Sequence, residues 1–174
     1  MHLNKCTGFV CAVWLASGVA FAAPGETPLI AAVRTGNAEA VRALVTQRVD
    51  VNAPQGDGAT ALHWAVHLDD LATVDLLIRA GARVNVADDT GATPLYLASM
   101  NRHAALLERL LVAGANPNAT LLNGETALMM CARAGDPASV KSLLVHGAQV
   151  NAKERMHDQT ALMWAVSEKR PAVV

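Results

Sequence analysis

Aromatic residues are scarce in this chain: two Phe, one Tyr and three Trp make 3% of its 174 residues. A core assembled around large rings is therefore excluded. Hydrophobic residues still reach 52%, so Ala, Leu and Val must fill the interior, which suits thin helices packed closely together. Cysteine is also scarce, with only Cys6, Cys11 and Cys131. An excess of one charge is missing too, with 14 basic against 15 acidic side chains. That balance leaves no electrostatic footprint for nucleic acid or for an anionic lipid surface.

A membrane-length apolar run is lacking as well. The leading uncharged apolar run, residues 7–21, has 15 residues, against the ~20 needed to cross a bilayer. His2 and Lys5 precede it, and Ala20, Phe21 and Ala22 close it with small residues around a large one. This is the layout of a cleavable signal peptide over residues 1–22, cut after Ala22. The expected location is periplasmic or secreted, with no membrane association after cleavage; an uncleaved anchor is the competing reading. Cleavage would remove Lys5, Cys6, Cys11 and both Phe, leaving 13 basic and 15 acidic groups and Cys131 as the lone thiol. A single cysteine excludes an internal disulfide, so export would not require oxidation for folding.

Catalytic constellations are missing too. No nucleophile stands beside a base in a recognisable motif, and no phosphate loop appears. Asp69 with Asp70, and Asp88 with Asp89, are side-by-side pairs rather than opposed acids and bases. His63 and His67 have a chelating spacing but no third ligand and no adjoining Glu. Cys131 falls where other copies of the repeat carry Ala, which reads as a small buried residue. No catalytic residue, metal or cofactor is expected.

What is present is a repeat. Thr27, Thr60, Thr93 and Thr126 stand 33 residues apart. Leu29, Leu62, Leu95 and Leu128 keep the same step, as do Asn52, Asn85, Asn118 and Asn151. A fifth copy begins one residue late, at Thr160. Such self-similarity marks a stacked array in which each unit buries its faces only against its neighbours.

Each Thr is a good N-cap, and Pro28 and Pro94 suit the first helical position that follows. Leu62, Ala65 and Val66 then define the apolar face of a helix of about two turns. A polar pair comes next (Gly36 and Asn37, Asp69 and Asp70, Arg102 and His103, Gly135 and Asp136), followed by a longer Leu/Val helix closed by Gly81, Gly114 or Gly147. A polar, turn-rich stretch leads to the next Thr.

Thr93, Pro94 and Leu95, Thr60 to His63, and the Gly-Ala-x-x-Asn motif from Gly81 to Asn85 resemble the ankyrin repeat. The resemblance covers residues 27–174. It implies an all-α solenoid of helix-turn-helix units with projecting β-hairpin or loop fingers and a concave binding groove. The repeats would span about 27–58, 59–91, 92–124 and 125–158, with a partial copy at 159–174, in a domain covering 23–174. Similarity to exported bacterial ankyrin proteins in particular follows from the leader. Several positions depart from the family pattern. Arg48 replaces the first helix-closing Gly, which predicts a strained or altered turn. Ile30, Tyr96, Met129 and Met163 replace the usual His. The last copy lacks the rest of its second helix, which predicts an exposed apolar end and a natural protein that continues.

The implied task is protein recognition by a monomeric, non-catalytic scaffold; the alternative is a targeting segment of a larger exported protein whose active domain lies beyond Val174. Candidate contacts are Trp64, His67, Asp88, Asp89, Leu121, Leu122, Met156 and Trp164. Trp64, Leu97, Met130 and Trp164 share one position of the repeat, preceded by Ala31. Packing between repeats is the plainer role for that position, with the two Trp the expected exceptions, since an accessible Trp is a good anchor. Leu121 and Leu122 are apolar where a finger should be polar. Asp88, Asp89 and the finger from Lys153 to Asp158 are charged, and plain solvation competes with partner contact for them.

Overall fold

The computed structural model describes residues 26–174. The expected leader, residues 1–22, lies outside the described residues. Helices come in pairs: α1 (Pro28–Arg34) with α2 (Ala38–Thr46), α3 (Ala61–His67) with α4 (Leu71–Arg79), α5 (Pro94–Asn101) with α6 (Ala104–Val112), and α7 (Ala127–Ala134) with α8 (Pro137–Val145). The fifth copy supplies α9 (Ala161–Ser167) and a short 3₁₀ turn, Pro171–Val173. The first helices form one column, α1–α3–α5–α7–α9, and the second helices another.

Local chemistry explains where each helix begins. Thr27, Thr93, Thr126 and Thr160 accept a backbone N–H from three residues on, at 3.2–3.4 Å. Thr60 works differently: its own N–H donates to Nδ1 of His63 at 3.1 Å. Between the helices of each pair, Gly36, Asp69, Arg102 and Gly135 all take left-handed φ, from 55 to 71°. The residue that follows caps the second helix, with side-chain bonds from Asn37, Asp70 and Asp136.

Arg48 carries the expected strain without altering the turn. It closes α2 with the same left-handed sense (φ 57°) that Gly81, Gly114 and Gly147 use after later helices (φ 87–92°). The turn is kept, and a non-glycine there costs roughly 1 kcal/mol. The fingers take the loop form of the two expected. They contain no strand among the described residues, only an isolated bridge between Thr120 and Thr126. Each is a tight turn closed by its own bond, such as Asp88 N–H to Ala92 O at 3.0 Å. Neighbouring fingers are tied edge to edge: Asp89 N–H to Asp57 O (2.9 Å), Leu122 N–H to Thr90 O (3.2 Å) and Arg155 N–H to Asn123 O (2.8 Å).

The core runs along the seam between the columns. Val41, Val74 and Leu107, with Leu77, Leu110 and Leu143, are fully buried from the second helices. Leu29, Leu62, Leu95 and Leu128 meet them from the first. The recurrent Asn is a clamp across the separate seam between successive repeats. Asn52, Asn85 and Asn118 each donate to the carbonyl of the next repeat's helix-closing Gly, at 3.0–3.1 Å, and accept the N–H two residues beyond it, at 2.7–2.8 Å.

Candidate functional site

The fingers meet the first-helix column along one face, and most of the expected contact residues lie there. Trp64 is half-buried. Its Nε1 donates to Gln55 Oε1 of its own finger at 3.1 Å, the Arg34 guanidinium lies 4.9 Å from its ring centroid, and His67 meets it edge-on at 5.8 Å. Trp164 has the same surroundings: Nε1 to Gln159 at 2.8 Å and Arg133 5.0 Å over the ring. The accessibility expected of Trp164 is not found, since it is only 9% exposed. Packing against the stack takes most of its surface.

The fingers divide by chemistry. Asp88 is turned into its own loop, where its carboxylate accepts from Thr90 N–H (2.9 Å), Thr90 Oγ1 (2.6 Å) and Ala92 N–H (2.9 Å). It shapes the turn rather than offering a free charge, whereas Asp89 is exposed. One repeat later the same position is Leu121, which packs on a small cluster of Ala92, Tyr96 and Met130. Leu122, beside it, is 68% exposed, and Met156 on the last finger is 73% exposed. His67 is exposed. The structure thus pairs Trp64 with His67, packs Leu121 onto the first-helix column while Leu122 stays exposed, and gives Asp88 and Trp164 supporting roles.

Sequence reasoning missed four residues on or under this face. Met100 is 53% exposed on α5. It shares its repeat position with Arg34, His67 and Arg133, and three polar residues at one position were the available sign that it faces out. Arg34 and Arg133 cover the two indoles. Glu154 is the fourth: its buried carboxylate accepts from Met156, His157 and Gln159 N–H at 2.6–3.0 Å. Donation from Gln159, helped by Met156 and His157, holds that carboxyl below its usual range against the effect of burial. This inward carboxylate absorbs the extra residue of the longest finger.

Reactive groups elsewhere are committed to the scaffold. His63 is buried, with Nδ1 on Thr60 and Nε2 3.1 Å from Ala92 O. Accepting from an N–H fixes Nδ1 as unprotonated, so Nε2 carries the proton toward the carbonyl. Burial lowers its pKa, against the opposing bond to Ala92. The Cys131 thiol is buried and pushed up to about 12, first by burial and then by Asp136, which disfavours the thiolate that chemistry would need. Burial also raises the Tyr96 phenol, helped by Glu125, whose carboxylate its hydroxyl meets at 2.9 Å. No group of three metal-binding side chains occurs among the described residues, and no helix among them is long and apolar enough to cross a membrane.

A family model described as Ankyrin repeats (3 copies) matches the chain over residues 7–88, 49–121 and 95–174. No curated protein matches it.

Proposed function

The chain belongs to the ankyrin-repeat family, and from that premise we propose a non-catalytic scaffold that binds a partner protein across its finger–helix face. The observation that carries this is a set of exposed apolar side chains on α5 and the last two fingers, Met100, Leu122 and Met156, together with half-buried Trp64 and Leu97 on the first-helix column. Exposed aliphatics beside an aromatic anchor and inside a polar rim are the usual anatomy of an interface core. We further read residues 1–22 as a leader that exports the scaffold to the periplasm or the medium, where it acts as a monomer. Affinity capture from the exported fraction tests both parts. The tagged protein should start at Ala23 on N-terminal sequencing, and Leu122→Asp with Met100→Asp should lose the captured partner while keeping the helical circular dichroism. Unchanged capture by the double variant would remove this face from the reading.

A second reading is favoured by one observation. Leu162, Met163 and Val166 are more than half exposed, although their counterparts in every other copy are buried under the next repeat. A stack that continues into a larger exported protein would cover them, with the described repeats acting as its targeting arm. Reading the gene beyond codon 174 tests this, and a stop there would remove it.

A further inference from the structure

We infer that the partner presents a carboxylate to Arg133, as an Asp or Glu beside an aliphatic residue; this rests on the finger–helix face being the binding surface. Arg34 and Arg133 occupy one repeat position three copies apart, in matching seats over Trp64 and Trp164, each indole pinned by a Gln. A guanidinium lying on an aromatic ring is pre-positioned, and its planar fork of N–H donors suits a carboxylate. The first seat is filled from within the chain: Arg34 Nη1 donates to Glu26 Oε1 at 2.8 Å.

The second seat differs. Glu125 stands eight residues before Arg133, as Glu26 does before Arg34. Its two oxygens are taken by the Tyr96 hydroxyl at 2.9 Å and the Asn123 amide at 2.8 Å. Among the described residues Arg133 forms no ion pair, and its side chain donates instead to the Met130 sulfur at 3.2 Å, a weak acceptor. Arg170 donates its Nε to the Arg133 carbonyl at 3.1 Å, which seats a second guanidinium against the Arg133 backbone. The copy before offers apolar surface at Leu97 and exposed Met100. Cations without an internal carboxylate, next to exposed aliphatics, complement a segment that is acidic and aliphatic in turn.

The test is selection of a phage-displayed library of random linear peptides on the full chain, followed by titration of the consensus peptide. The expected consensus pairs an Asp or Glu with an aliphatic residue. Arg133→Gln should weaken it about tenfold, the worth of one charge-assisted contact. Arg133→Lys should weaken it less, and Arg34→Gln less than about twofold. A peptide with its acid changed to the amide should bind wild type and Arg133→Gln alike. A consensus without an acid, or one indifferent to Arg133→Gln, would overturn the inference while leaving the face as the binding surface if Leu122→Asp still abolishes binding. Selection of no binders, or of binders insensitive to every substitution on this face, would overturn both.

Discussion

The leading Leu of each repeat has two fates. Leu29, Leu62, Leu95 and Leu128 are 1–4% exposed, whereas Leu162 is 54% exposed. The next position repeats the contrast: Ile30, His63, Tyr96 and Met129 are buried and Met163 is not. A Thr in extended conformation precedes the first helix in all five copies. Burial in this array is therefore a property of the neighbour and not of the residue, which is what nearly one-dimensional stacking means. The largest test of that contrast is Leu95→Ala against Leu162→Ala in the 174-residue chain. The first should cost about 2–5 kcal/mol, because it removes apolar contacts and leaves a cavity; the second should cost no more than about 0.5 kcal/mol. Urea denaturation reads both. Equal losses would mean that α9 is covered in solution.

The same contrast explains what could be read from the residues alone. Period, caps and helix-closing glycines are local chemistry, written in Thr27, Pro28, Gly81 and their counterparts, and these were legible. Which side of a first helix faces the groove was not. Those helices have seven or eight residues, too few turns for the pattern within any one of them to fix the phase of Met100 or Trp164, so that only comparison across copies carries a sign. The finger carboxylates were illegible for a related reason. Asp88 and Glu154 look like solvated charges until the loop folds back and supplies N–H donors to them. Arg133 was hidden because its difference from Arg34 lies in where Glu125 points, and Tyr96, one repeat earlier, decides that.

A smaller effect sharpens the comparison at the position after the leading Leu, where only the second copy carries an imidazole. Folded His63 is held neutral, first by burial, so its pKa lies below the ordinary value. The unfolded chain, with a pKa of about 6.5, then binds more protons below that pH. The sign follows: this contribution is complete above about pH 6.5 and is lost as pH falls toward the folded pKa, by at most about 1.4 kcal/mol per pH unit. Asp57 and Glu154, whose carboxyls are lowered by backbone donors from Ala59 and Gln159, lose their contribution only further down, below the usual carboxylate range. Urea midpoints at pH 7.5 and 5.5 should differ for wild type. His63→Met, which copies Met129, should remove much of that difference. An unchanged slope would place the acid sensitivity elsewhere.

The smallest test uses the recurrent Asn, where the chemistry is identical and only the neighbour changes. Asn118 donates to Gly147 O at 3.0 Å and accepts from Gln149 N–H at 2.8 Å, fixing the turn that ends α8. Asn151 holds the same position in the next copy and is exposed. A hydrogen bond contributes about 0.5–1.5 kcal/mol net, with the low end for solvated pairs. Asn118→Ala should therefore cost about 1 kcal/mol, and Asn151→Ala close to nothing. The difference also has a location. Amide exchange at Gln149 should speed up in Asn118→Ala, because its N–H loses its acceptor, while Asn116 N–H, bound to Asn85 at 2.7 Å, should keep its protection. If both amides lost protection together, the clamps would not act seam by seam and the five copies would be one cooperative block.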